Sequence, residues 1–469
     1  MKLCKIIVSL VTVCGALTLQ AQPDTTLRPI HPDQWPKIEN HIRNSWDRYV
    51  DTVATLPAPF SFALNPGTLY YWDLYFINEG LMRQGFFGQA KNNIDNFIYE
   101  IEKLGFIPNA NGWGEDRSQT PYFGMMVQSY FTKAPQKDTA WLHRAYQALL
   151  KEYEFWTNAN GNTIEDHSTP IPGLQRYGEH ADSATLLNFY DKVLLHRFKL
   201  DKEAPDSVKI LIASHRLAEA ETMDFTPRFD GRCKDFIPID LNANLYQYER
   251  ILGWLERQLK ISNGSRWEKH AVRRAELIRK YLWDEERGLF LDYDFVNQRH
   301  GSIASVMTLM PLYWHFATPE EAARVVESLK LFDSPGGLVV CEPSDQPILY
   351  QWGDGAVWAP VQFLAMGALE NYGYQPEAYQ VALKWLNTVT ANFLDPRPAT
   401  HRPFKYGDGQ RHPGFIYEKY TRTGEINDSE YPCSEMMGWT ASTFLRALEL
   451  VRHTSAYFCE IDKYWSYRV

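Results

Sequence analysis

Positive charge is in short supply. Lys and Arg number 48 against 57 Asp and Glu, giving a formal net charge of −9 and a pI near 5.8. Without a basic stripe there is no footprint for counterion release, which argues against nucleic acid as a partner. Cysteine is scarce as well: six in 469 residues, of which Cys4 and Cys14 fall in an N-terminal leader. Cys233, Cys341, Cys433 and Cys459 form no CxxC pair and no short metal spacing, so neither a zinc ribbon nor a small disulfide scaffold is indicated, with one or two disulfides left open. The 13 His include no HExxH, the acidic run Asp284-Glu285-Glu286 lacks the Gly and spaced oxygens of a calcium loop, and there is no GxSxG elbow. The expectation is no metal and no cofactor. Past the leader no apolar run reaches the 18 residues of a membrane span. Low-complexity tracts and Gly/Ser linkers are missing too, so residues 59–469 read as a single domain.

The leader has a shape of its own. Lys2 and Lys5 precede the apolar run Ile6 to Leu19, and Leu19-Gln20-Ala21 fits a cleavage site. Residues 1–21 are therefore expected to be a secretory signal peptide cut after Ala21, and 22–58 a Pro-containing leader with the first helix. Cys14 follows Val13 rather than a small residue, a poor match to a lipoprotein box. The mature protein is expected outside the cytoplasm, periplasmic or extracellular, and monomeric.

Helical periodicity fills the rest. In Phe87 to Leu104, Ala90, Ile94, Phe97, Ile98 and Ile101 make the stripe of a helix with one buried face. Similar stripes predict fourteen helices, among them 35–52, 184–198, 207–221, 303–315, 355–371 and 435–452. Convincing strands are few, the best being Leu289 to Asp294 and Gly337 to Val340. The expectation is an all-α architecture of paired helices. Six loops are rich in polar and aromatic residues: 59–72, 105–119, 159–183, 222–240, 332–355 and 396–434. They alternate with helix pairs. In a closed ring of helices, alternate connections emerge on one face, so all six are expected to converge on one pocket.

Within Glu219 to Leu245, Asp224 stands in irregular chain after a helix C-terminus, between Met223 and Phe225. The negative end of a helix dipole and partial desolvation both favour a carboxyl that keeps its proton, which suits a general acid. The ordinary reading of such an Asp is a turn residue bonding its own backbone. Aromatic residues are plentiful and often flank polar ones, as in Tyr70-Tyr71-Trp72-Asp73 and Gln351-Trp352. A flat ring beside a hydrogen-bonding group suits the faces and edges of a sugar, although for any one ring a core position is the commoner use.

Six short motifs, in order, resemble those of the trehalase family. Pro66-Gly67 with Tyr71-Trp72-Asp73 and Tyr75 resembles its first signature, while Ile107 to Asn111 and Arg117 to Pro121 are similar to its IPNGN and RSQPP. Arg176 to Glu179 is a weaker match to an Arg-Pro-Glu clamp. Asp224 to Arg228 resembles the general-acid motif, with Pro238 to Asn242 downstream, and Gln351 to Pro360 resembles the second signature. Last come Glu418-Lys419-Tyr420, Glu430-Tyr431-Pro432 and Gly438-Trp439-Thr440 around the base.

The resemblance implies an (α/α)6 toroid, a six-hairpin barrel, carrying an inverting glycoside hydrolase. Asp224 would be the acid and Glu418 the base; Trp72, Asp73, Asn109, Arg117, Arg176, Glu179, Arg228, Trp352 and Glu430 would bind a small carbohydrate. Trehalose, split to glucose, is the implied substrate. Three departures leave alternatives open. The opening signature lacks its Arg-Phe, Gly353 and Gly355 replace Asp and Pro in the second, and Thr421 to Ser429 replaces a Gly-rich run. An exo-acting α-glycosidase for another α-linked sugar and a non-catalytic carbohydrate-binding protein are the alternatives, with a polysaccharide lyase on a related toroid a further one.

Overall fold

The computed structural model describes residues 31–466 apart from 159–160, 162–163, 345–349, 398–411 and 428–434, and the side chains through Thr454. The leader expected at 1–21 and Glu430 lie outside the described residues. The helices are α1 Trp35–Arg43, α2 Tyr71–Arg83, α3 Phe87–Leu104, α4 Phe123–Lys133, α5 Thr139–Thr157, α6 Ser183–Phe189 and α7 Asp206–Glu219. They continue with α8 Ile239–Gln258, α9 Ser265–Leu282, α10 Met310–Tyr313, α11 Pro319–Glu327, α12 Ala359–Asn371, α13 Gln375–Leu394 and α14 Gly438–Ser466.

Alternate helices form an inner ring. α2 packs on α4, α4 on α8, α8 on α10, α10 on α12, α12 on α14, and α14 returns to α2. Their composition explains the position: Tyr71 through Met82 is buried at every residue of α2, as is Ala359 through Leu369 of α12. A helix that is apolar all round must be covered all round. The helices between them, such as α3, bury one stripe and face outward with the other. Closure between α2 and α14 needs a small residue, because a Cβ on Gly80 would stand 2.9 Å from Ser442 Cα. This is the (α/α)6 toroid expected from the resemblance. Among the described residues no helix is long and apolar enough to cross a membrane.

Differences from the expected elements have local causes. The helix expected over 35–52 stops at Arg43, and Val50–Asp51 pairs instead with Phe60–Ser61. Over 303–315, Pro311 allows only a 3-10 turn, Val306–Leu309, and the single turn α10. Over 184–198, α6 passes into a π turn, Tyr190–Leu194. The helix expected from 355 starts at Ala359, since Ala356–Trp358 is a strand paired antiparallel with Lys419–Thr421. The strand expected over Leu289 to Asp294 is two short ones, Leu289–Phe290 and Tyr293–Asp294, with different partners. Cys233 and Cys341 are buried free thiols.

Candidate active site

Loops at one end of the ring enclose a cavity of about 470 Å³. Residues from five of the six predicted loops line it: Tyr70 and Trp72, Asn109 and Arg117, Thr222 and Asp224, Gln351 and Trp352, and Glu418. Asp73 and Trp439 join them from the first turns of α2 and α14. The exception is 159–183, which borders a separate pocket.

Indole rings make up much of the cavity wall. Trp352 stacks on Trp358 with centroids 3.9 Å apart and planes 5° from parallel, while Trp439 meets Trp72, Trp352 and Trp358 edge-on. Trp352 Nε1–H donates to Asp224 Oδ1 at 3.2 Å. The Asp224 loop is held from behind as well. Phe225 takes φ +63°, an unfavourable conformation for an aromatic residue, and its carbonyl accepts from the Trp352 amide at 3.3 Å. Thr226 N–H donates to Glu219 Oε1 at 2.8 Å, anchoring the loop to the end of α7.

Glu418, from the chain between α13 and α14, lines the cavity and is buried. Its carbonyl accepts from Trp439 Nε1 and Thr440 Oγ1, each at 3.2 Å. Its Oε2 lies 3.8 Å from Lys419 Nζ, which in turn sits 4.7 Å from the Trp358 ring centroid. The strand register places Lys419 opposite Trp358. The pair is therefore a buried one and not the exposed salt bridge that Glu-Lys neighbours usually make.

Asp73 is the third carboxyl of the cavity. Burial, and then the charges of Glu418 and Asp224, hold it well above the ordinary carboxylate range. The same three carboxyl groups act on Tyr70, whose hydroxyl is pushed up to about 12, chiefly by burial and then by Asp73. Asn109 packs at the wall and donates Nδ2–H to Ala220 O at 3.2 Å, tying its loop to the residue four before Asp224. Arg117 pairs with Asp116 at 2.5 Å through Nη1.

Three predicted binding residues stand elsewhere. Arg228 is fully buried beneath the loop, its guanidinium forked onto Asp240 at 2.9 and 3.1 Å and onto Asp292 at 2.8 and 2.9 Å. It fixes the chain that carries Asp224, with its donors committed to those two carboxylates. Arg176 lines the second pocket with His215 and Lys234, bonding Ser168 O at 3.0 Å. Glu179 accepts from Lys234 Nζ at 3.0 Å and Ser214 Oγ at 2.5 Å. Tyr70, Trp113, Gln119, Thr222, Gln351, Trp358 and Trp439 line the cavity too, beyond the residues expected to bind sugar. Several sit inside the motifs that carried the resemblance, so the signal was there without a rule for choosing among their positions.

Behind the site, a charged cluster replaces the apolar packing expected at such depth. Glu221 accepts from Ser118 N–H at 2.9 Å and Gly178 N–H at 2.7 Å, and its Oε2 lies 3.4 Å from His167 Nε2. That nitrogen is also 3.0 Å from Glu165 Oε2, and Glu165 Oε1 meets His180 Nδ1 at 2.5 Å. Burial opposes a charged His167, but the Glu221 and Glu165 carboxylates outweigh it and push the ring up to about 10. Glu165, His167 and Glu221 are the described residues whose ligand atoms lie close enough to hold a cation, within 4.8 Å of one another. Two backbone amides on Glu221, Phe155 O at 3.2 Å from His167 Nδ1, and His180 on Glu165 already answer these groups. An imidazolium between two carboxylates satisfies the same charge.

Asp224, Asp73 and Glu418 thus share one cavity walled by tryptophan, set in a ring of helix pairs of the kind that carries glycoside hydrolases. The trehalase family profile matches residues 19–452, and the chain belongs to that family. It is 28% identical to the periplasmic trehalase of Salmonella choleraesuis over 89% of its own length and 72% of the relative's. It is 29% identical to the cytosolic neutral trehalase of Saccharomyces cerevisiae, of which it spans 63%. The solved neutral trehalase from that yeast superposes with a TM-score of 0.68 at 26% identity, covering 88% of this chain and 79% of that one. A mannosylglycerate hydrolase from Thermus thermophilus, at 16% identity and a TM-score of 0.59, covers 89% of this chain and 99% of its own and shares the fold.

Proposed function

We propose that this protein is an exported α,α-trehalase that cleaves trehalose with inversion, Asp224 acting as general acid and Glu418 as general base. The observation that carries this reading is the meeting of those two carboxyl groups in one tryptophan-walled cavity. Glycosidic cleavage by inversion needs one carboxyl to protonate the leaving oxygen and a second to activate water across the ring. Trp352 orients the first, and Lys419 Nζ lies 3.8 Å from the second. Export rests on the leader sequence and on the periplasmic relative. Residues 59–469 then act as one catalytic domain.

The test is glucose release from trehalose, with the anomers followed by NMR at early times. Inversion yields one α- and one β-glucose from each molecule; two α-glucoses would sink the mechanism, and no glucose from folded protein would sink the substrate. Asp224→Asn and Glu418→Gln should each lower kcat by about a thousandfold or more while sugar binding persists. Undiminished turnover in both would overturn their roles.

A second reading is an exo-acting α-glycosidase with another α-linked substrate. It is favoured by the cavity's arginines: of the three predicted to hold sugar, only Arg117 lines it. A panel of α-linked disaccharides separates the two, with trehalose the best substrate under the first reading alone.

A further inference from the structure

The cavity has two unlike ends. Trp72, Trp352, Trp358 and Trp439 are each 5% exposed or less and define a closed inner end. Trp113, on the same cavity, is 56% exposed, the indole left most open to solvent among the large hydrophobic side chains of the described residues that stand out. Tyr70 meets it edge-on with centroids 6.0 Å apart, and the Arg117 guanidinium lies over the ring 5.9 Å from its centroid.

The loop that carries Trp113 belongs to the acid side of the cavity. Asn109 bonds Ala220 O and Ser118 N–H bonds Glu221, both just upstream of Asp224. Asp224 is itself partly exposed, whereas Glu418 is 2% exposed. A general acid stands beside the leaving oxygen. The leaving group therefore lies toward the mouth, on the side where Trp113 stands. Beside it, Arg117 also lines the cavity.

We infer that Trp113 is the platform on which the leaving sugar stacks, so that the second ring is recognised at the cavity mouth through an apolar pyranose face. This rests on the hydrolase reading above and adds what selects the leaving group. An aromatic platform asks for a flat sugar and is tolerant of where its hydroxyls point, unlike a clamp of charged residues. The substrate class it fits is an α-linked glucoside whose leaving group is another pyranose.

The experiment compares trehalose with α-glucosyl fluoride, whose leaving group is a single ion that cannot stack. In Trp113→Ala, kcat/KM for trehalose should fall roughly tenfold or more, mostly through KM, about 1.4 kcal/mol for each factor of ten. For the fluoride it should stay within about twofold. Trp113→Phe keeps a flat ring and should recover trehalose to within about threefold. Equal losses on both substrates would assign Trp113 to loop structure and overturn the inference, as would no loss on trehalose. Wild-type protein that cleaves neither substrate would instead overturn the hydrolase reading, and this inference with it.

Discussion

Asp73 occupies the first turn of α2, where a helix N-terminus favours a carboxylate, yet burial and two neighbouring carboxyl groups drive it the other way. Desolvation wins because the group is 6% exposed and faces like charge. The shift favours the protonated form, in which Asp73 can donate a hydrogen bond into the cavity. Asp73→Asn, neutral and of the same shape, is expected to hold kcat/KM for trehalose within about tenfold of wild type at pH 7. Asp73→Ala, which removes the donor, should fall by about a hundredfold or more. Steady-state kinetics on the pair decides it: equal losses would mean that Asp73 works as a carboxylate. The residue type and its place beside Trp72 were legible in the sequence. The upward shift of its pKa was not, because that depends on burial and on Glu418 and Asp224, brought near by the fold.

At the scale of elements, α3 shows how far local pattern reaches. Its expected span, Phe87 to Leu104, is the observed one, and its apolar stripe is the buried face. That face also takes in Glu100, which burial, with Glu115 adding to it and Lys103 offsetting it, pushes up to about 8. The unfolded value is near 4.3, so the folded state holds a proton that the unfolded state has released between the two. Its contribution to stability is full below about pH 4, falls as pH rises through about 8, and is flat beyond. Glu100→Gln should therefore gain Tm over wild type as pH rises from 5 to 8, by a few degrees at the top of the range. Calorimetry at three pH values measures it; a gap that does not widen would mean Glu100 is ionised in the folded protein. Where α3 was legible, the start of α12 was not. Trp358 is extended because it pairs with Lys419, and no local window contains that partner.

At the scale of the whole molecule, ring closure determines which loops meet. Five of the six predicted loops supply the cavity, while 159–183 turns aside to place Glu165 and His167 behind Glu221 and Arg176 on another pocket. Arg117 and Arg176 looked alike as forked donors for sugar hydroxyls, and the fold separates them. Arg176→Ala is expected to leave kcat/KM within about twofold, whereas Arg117→Ala should lose about a hundredfold. Comparable losses in initial-rate assays would mean the second pocket reports to the first.

The sequence by itself determined helices such as α3, the order of the motifs and the two carboxyl groups proposed for the chemistry, since periodicity and side-chain type are local properties that survive without coordinates. Only the tertiary structure decided that Arg228 braces the Asp224 loop in place of lining the cavity, that Lys419 is buried against Trp358, and that Trp113 alone of the cavity indoles is largely exposed. Those are matters of distance and desolvation between segments far apart in the chain, and they exist only once the ring has closed.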